Sequence, residues 1–329
     1  MFPHILKRCI GEHYPVMWRN IVEIVESRFP QDSKLLVGDA TVGAGGHSRA
    51  LLELYPNSRI IGVDIDKEML AIAEKNTADF SDRIKFHHTS YTNMFSLPRF
   101  PEEFTSGKGF DVLIADLGLS SVHLDTPERG FAFRTDGPLD MRFDRTKNQL
   151  TAEKILNHAS EYELVDIFKR YGNEQYSETA AEIICQYRKE NKITSTMQLT
   201  KVLNYAFYIA KSFKKYDNIT RIFQALRIKV NNELDNVENF LKNAINNLDE
   251  KGVLIVISFH SLEDDIVHKY MKKANGQFIV EYKTWKPMEP GHEEMIENSR
   301  SRSALLRYLI KRDFNKEKKI GHESRKLIN

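Results

Sequence analysis

The stretch KLLVGDATVGAGGHSRALLELYPNSRIIGVD, residues 34–64, decides the fold. Lys34–Asp39 is a short apolar run closed by an acid, Gly43-Ala44-Gly45-Gly46 is a glycine turn, and a helical stretch begins at His47. Arg59–Asp64 is a second apolar run that again ends in an acid. Strand, helix and strand at this spacing predict a parallel sheet covered on both faces, with right-handed crossovers. Downstream, Lys67–Ala78 reads as a helix with Met69, Leu70, Ile72 and Ala73 on its apolar side. Arg83–His88 is a third strand and Phe110–Asp116 a fourth.

The pattern then changes. No convincing buried strand occurs from about Leu124 to Asn218. Ser160-Glu161-Tyr162-Glu163 is a capping box that opens a helix ending near Gly172, and further helices are expected at Ser177–Glu190 and Thr196–Ala210. Ile219–Leu248 reads as one long amphipathic helix, with Ile222, Phe223, Leu226, Val230, Leu234, Val237 and Leu241 at helical spacing. The sheet resumes with Gly252–Phe259, a helix from Leu262, and strands at Gln277–Trp285 and Ala304–Lys311. The expected organisation is an α/β core at 14–123 and 219–312, a helical insertion at 124–218, and a basic tail at 313–329.

Of 329 residues, 41% are hydrophobic, which excludes a wholly disordered chain. The net charge of +2 hides an uneven distribution: residues 183–230 carry net +8, residues 300–329 net +7, and the stretch 231–298 between them net −6. Two basic segments suit a polyanionic partner, although solvated helix faces have the same composition. Cys9 and Cys185 are too few for a disulfide framework or a Cys-based zinc site, and no metal is assigned. The longest apolar run, Val253–Phe259, is far too short to span a membrane, so no membrane partner is expected. The cytoplasm is the default location. The basic lead Met1–Gly11 leaves the mitochondrial matrix open.

In an open parallel sheet, ligands bind beyond the carboxyl ends of the strands, where this sequence places Asp39, Asp64 and Asp116-Leu117-Gly118. Asp64 follows Gly46 at a distance suited to an acid that accepts the hydroxyl protons of a ribose. The plainer alternative is a tight strand-to-helix turn with Asp64 as a helix cap. NAD and S-adenosylmethionine are the two cofactor choices. Asp39 before the loop suits a cationic amino-acid end and would repel a pyrophosphate, and Arg49 stands where a dinucleotide loop has its third glycine. Methyl transfer is favoured.

Longer motifs carry a resemblance: TVGAGGHS at 41–48, DLGLSS at 116–121, LDTPERGFAFRTDGPLDMR at 124–142, TRIFQALRIKVNNEL at 220–234, ISFHSLED at 257–264 and NSRSRSA at 298–304. With these, the chain resembles the RsmH (MraW) family from about Tyr14 to Arg312. Those enzymes, with their mitochondrial relatives, use S-adenosylmethionine to methylate N4 of a cytidine in small-subunit ribosomal RNA. The resemblance implies a Rossmann-like methyltransferase sheet with a helical inserted substrate domain. It also implies cofactor contacts at Gly45, Gly46, His47, Asp64, Tyr91, Asp116 and His123. Tyr91 stands where bacterial members generally have Phe, and His123 where they generally have Gln.

The exocyclic amine of cytosine is a poor nucleophile, so an acceptor for its proton is needed, and Asp116 is the candidate. Its alternative is an acid capping the Gly118 turn. A base inside rRNA must be splayed out to be modified, and Ser120, Ser121 and the run Asp136–Arg142 are candidates to line its pocket. For that run the alternative is a polar loop held by Asp140–Arg142 pairing. His260 is read as part of a polar strand-end site facing the substrate, and Arg300, Arg302 and Arg307 as phosphate contacts, with Arg307 alternatively decorating a strand. The implied partner is small-subunit rRNA, within the ribosomal small subunit. The competing functions are a non-catalytic ribosome-assembly or RNA-binding factor on the same fold, and a DNA or protein methyltransferase.

Overall fold

The computed structural model describes residues 15–98 and 109–313. The basic lead Met1–Gly11 and, apart from Asp313, the tail at 313–329 lie outside the described residues. The chain forms two compact units, one of Met1–Gly118 with Asp235–Asn329 and one of Leu119–Leu234.

The first unit begins with α1 (Trp18–Glu26), β1 (Leu36–Asp39), α2 (Gly46–Leu54), β2 (Arg59–Asp64), α3 (Lys67–Asn76), β3 (Ile84–His88) and β4 (Phe110–Asp116). β2 and β4 have the bounds expected from sequence. Asp66 caps α3 by accepting the amide protons of Glu68 and Met69, which satisfies donors that have no partner inside the helix.

The second unit contains α4 (Ser121–Asp125), α5 (Ala152–His158), α6 (Glu161–Gly172), α7 (Ser177–Tyr187), α8 (Thr196–Ile209), α9 (Lys215–Asn231) and the first residues of α10 (Glu233–Asn247). The capping box at Ser160 is formed: Glu163 N–H donates to Ser160 Oγ at 3.2 Å, and Ser160 N–H donates to Glu163 Oε2 at 2.7 Å. The helix expected at Ile219–Leu248 is instead two helices. Asn232 adopts a left-handed conformation at φ 51° and ends α9. Packing explains the break: Ile219, Ile222, Phe223, Leu226 and Val230 belong to the core of the second unit. Val237, Phe240, Leu241 and Ala244 belong to a core of the sheet. The second unit therefore extends to Leu234, beyond the expected 218.

The first unit then resumes with β5 (Leu248–Ser258), α11 (Ser261–Gly276), β6 (Val280–Tyr282), α12 (His292–Glu297) and β7 (Leu305–Lys311). β5 starts before the expected Gly252, because Leu248 pairs with Phe110 across a register shift between Phe110 and Val112. The strand expected at Gln277–Trp285 shortens to three residues, since Phe278 is left-handed at φ 59° and extended pairing begins only at Val280. The seven strands have the order β3-β2-β1-β4-β5-β7-β6. β1 to β5 pair in parallel, and β7 runs antiparallel to both neighbours.

Successive strand residues face opposite sides of the sheet. Leu36, Ile61, Leu113, Ala115, Leu254 and Val256 pack with Phe240, Leu241 and Met271 on one side. Val37, Ile60, Val112, Ile114, Val253 and Ile255 pack with Ile21, Val25 and Leu51 on the other. Burial on both faces is why these strands are apolar without alternation. Each such large side chain contributes about 1.5–3 kcal/mol on leaving water.

Candidate functional site

β1 lies between β2 and β4, where the order of the sheet reverses, and open α/β sheets form their ligand crevice at such a point. Register places Asp39 beside Gly62 and Ile114, and Asp116 beside Ile257, so Asp39, Asp64 and Asp116 end three adjacent strands on one edge.

The glycine loop is held from both sides. Gly43 N–H donates to Asp64 Oδ2 at 2.8 Å, and Asn76 Nδ2 donates to Ala44 O at 2.9 Å. Gly45 adopts φ +85°, and a Cβ there would press on Ala73 and Thr77, so the loop closes on α3 only with glycine. Gly45 caps α2 without a side-chain hydrogen bond, so the amides of the first turn are open to a ligand. Asp64 is only half-buried, and its Oδ1 accepts from Asp66 N–H at 2.8 Å.

Asp39 is placed differently from the sequence expectation. It is buried; Oδ2 accepts from Ser48 Oγ at 2.6 Å and Oδ1 from Thr41 N–H at 3.2 Å. It posts the loop and is closed to a ligand's ammonium group. Burial outweighs these two bonds and raises its pKa to about 6. His47 is also turned inward, with Nε2 2.9 Å from Val16 O, and burial lowers its pKa to about 4. The neutral ring is structural, so His47 can offer a ligand its backbone amide.

Asp116 is the exception among these acids. Its backbone N–H donates to Thr41 Oγ1 at 2.6 Å, but its buried Oδ1 has no hydrogen-bond partner among the described residues. Desolvation raises its pKa well above the ordinary value, and the charges of Asp39, Glu263 and Glu294 push it further. An orphaned carboxylate oxygen in a field of carboxylates fits a cationic ligand and disfavours a pyrophosphate. This cluster restores the preference for a sulfonium cofactor that Asp39 alone does not support. Tyr91 opens a 3₁₀ turn, and its ring lies edge-on to Phe240 at 5.4 Å.

His260 caps α11: Nδ1 accepts from Glu263 N–H at 3.3 Å, and Glu263 Oε2 accepts from Phe259 N–H at 3.0 Å. Arg307 is not a phosphate contact. It is buried and forms a two-pronged pair with Asp264, at 2.6 and 2.8 Å. Arg300 and Arg302 are exposed on the 3₁₀ turn Ser299–Ser303.

In the second unit, Ser120 and His123 form a capping box on α4: Ser120 Oγ accepts from Val122 N–H at 3.1 Å, and His123 Nδ1 accepts from Ser120 N–H at 3.2 Å. Ser121 is the first residue of that helix. The His123 ring is buried, 5.3 Å from the rings of both Phe131 and Phe143, so it holds the loop together. Asp140 and Arg142, expected to line a base pocket, satisfy one another. Nε and Nη2 of Arg142 each lie 2.8 Å from a different oxygen of Asp140. Burial pushes the Asp140 pKa up, but the bonds from Arg142 outweigh it, and the net direction is down. Gly130 is left-handed, and a Cβ there would collide with the Pro138 carbonyl, so the segment 124–142 is a tightly specified loop.

Thr41, Ser48 and Glu294 were not singled out from sequence. Thr41 and Ser48 bracket the glycine motif, which is a usable signal. Glu294, in α12, gave none.

Residues 11–312 match the model of the MraW methylase family. The chain is 41% identical over 299 residues to ribosomal RNA small subunit methyltransferase H of Thermotoga neapolitana, covering 90% of this chain and 94% of that protein. It is 40% identical over 305 residues to the protein of the same name from Leptospira interrogans serovar copenhageni, covering 91% and 89%. With the one from Gloeothece citriformis it shares 42% over 271 residues, covering 82% and 85%.

Proposed function

The chain belongs to the MraW methylase family, and from that membership we propose that it methylates N4 of a cytidine in the decoding region of small-subunit rRNA, using S-adenosylmethionine. The observation that carries the reading is the match over residues 11–312, together with relatives at 40–42% identity named for small-subunit rRNA methylation. S-adenosylmethionine, when bound, supplies an electrophilic methyl group on a positively charged sulfur. The residues assigned to hold it are Gly45, Gly46 and His47 through their backbone, Asp64 through its carboxylate, and Tyr91 through its ring. The carboxylate cluster around Asp116 supports a cationic ligand at this strand end.

Asp116 is assigned as acceptor. The amine nitrogen would form its bond to the methyl carbon as the carbon–sulfur bond breaks and a neutral thioether leaves; the nitrogen would then shed a proton, and Oδ1 of Asp116 has no hydrogen-bond partner among the described residues to compete for it. A carboxylate with raised proton affinity is a stronger base at neutral pH than an ordinary one. Ser120, Ser121, Arg300 and Arg302 remain assigned to the RNA, while Asp140, Arg142 and His260 support it through the loops and cap they stabilise.

The reaction is placed in the cytoplasm, on a partly or fully assembled small subunit. No described helix is long and apolar enough to cross a membrane. The test incubates the protein and labelled cofactor with small subunits lacking this modification, digests the rRNA and identifies the labelled nucleoside by mass spectrometry. N4-methylcytidine is expected. Label on cytosine C5, on a ribose or on protein overturns the assignment; no label and no heat of cofactor binding points to a non-catalytic RNA-binding factor.

A further inference from the structure

In the second unit, the corner between α8 and α9 displays aromatic rings that folding does not bury. Tyr208 is 69% exposed and Phe213 fully exposed, with Tyr205 and Tyr216 also exposed on either side. Water-exposed rings gain nothing from the hydrophobic effect, and a patch of them marks an interaction surface.

The corner is not loose. Ser212 is buried and its Oγ donates to Asn218 Oδ1 at 2.6 Å, while Asn218 Nδ2 donates to both oxygens of buried Glu174 at 2.8 Å. Lys214 N–H donates to Ser212 Oγ at 3.2 Å, so Phe213 is pinned on both sides and held out in water. Tyr205–Tyr216 contains three lysines and no acid. Lys215 Nζ lies 5.1 Å from the Tyr208 ring centre, and Lys211 and Lys214 are exposed.

We propose that this corner is a stacking platform for unpaired RNA, using its rings for base faces and its lysines for phosphates. The proposal rests on the rRNA reading above and adds a second contact, remote in sequence from the residues assigned to methyl transfer. Flat apolar faces beside regularly spaced negative charge are the chemistry of single-stranded nucleic acid. A duplex offers the charge but keeps its bases stacked on each other, and an acidic protein surface leaves the rings without a matching partner.

Binding of the full chain to a fluorescent 12-nucleotide single strand and to the corresponding RNA duplex is measured by anisotropy over a range of salt. The double change Tyr208→Ala with Phe213→Ala should weaken single-strand binding about tenfold or more and leave the duplex and the salt slope unaltered. Phe213→Trp should retain affinity. The triple change of Lys211, Lys214 and Lys215 to Ala should weaken both RNAs and flatten the salt slope. Both sets of changes are at the surface, and unchanged urea midpoints are expected. Equal single-strand affinity for the ring variant, or equal loss on the duplex, overturns the proposal; the same holds if the rings prove necessary only for holding an acidic ribosomal protein. Loss of rRNA methylation by the unaltered protein would instead overturn the earlier reading.

Discussion

Asp116 and Asp140 both lie in long sequence motifs, and the molecule treats them in opposite ways. Arg142 grips both oxygens of Asp140, which holds its carboxyl below the usual range despite burial. Asp116 has an oxygen without a hydrogen-bond partner among the described residues, and burial, reinforced by three acids, raises its proton affinity. A motif alone therefore does not separate chemistry from architecture. The state of the charge does: settled in the loop at 124–142, unsettled at the edge of the sheet.

The contrast is broken most directly at Asp116. Asp116→Asn keeps the shape, and turnover should fall about 10²–10³-fold, while calorimetric affinity for S-adenosylmethionine changes only a few-fold. Its urea midpoint should stay level or rise, because an unpaired buried charge has been removed. Undiminished turnover would remove Asp116 from the acceptor role.

Asp39 sharpens the comparison through pH. Its folded pKa is raised to about 6 from 3.8, so the folded protein keeps a proton that the unfolded chain has lost. Its contribution is complete below pH 4 and is lost as pH rises through 6, on the order of 3 kcal/mol. Asp39→Asn should flatten stability between those limits relative to the unaltered protein, as read by urea unfolding at each pH. Parallel curves for the two proteins would refute the burial argument.

At the settled end, Asp140→Asn and Arg142→Met should each cost about 2 kcal/mol in urea unfolding, and the double change less than the sum. Additive costs would mean that the pair does not act as a unit. The smallest expected effect is at Asp64: Asp64→Ala should raise the Kd for S-adenosylmethionine about tenfold, or ~1.4 kcal/mol, with turnover at saturation nearly unchanged.

The sheet was legible because strands buried on both faces are uninterrupted apolar runs, and β2 and β4 close with an acid where the chain leaves the core. The position of the candidate site was legible for the same reason: its glycines and acids lie at those closures. Other features depended on partners distant in sequence. The apolar spacing of Val230, Leu234 and Val237 runs through the break at Asn232, since both helices bury a stripe but in different cores. Arg307 reads as one cation among several until Asp264 is found against it. Asp39 reads as a ligand contact until its burial is seen, with Ser48 and Thr41 on its two oxygens.

The pairing of β4 with β5 has a consequence for how the protein is made. The two strands are neighbours at the centre of the sheet, yet about 130 residues separate the end of one from the start of the other. At roughly 5–20 residues per second, a ribosome needs on the order of ten seconds to cross that interval. Throughout it, Phe110–Asp116 is an apolar edge with open hydrogen-bonding groups and no β5 to cover it. The nascent chain is therefore most open to wrong pairing while its helical unit is being synthesised, and a chaperone that shields exposed strand edges would act in that window.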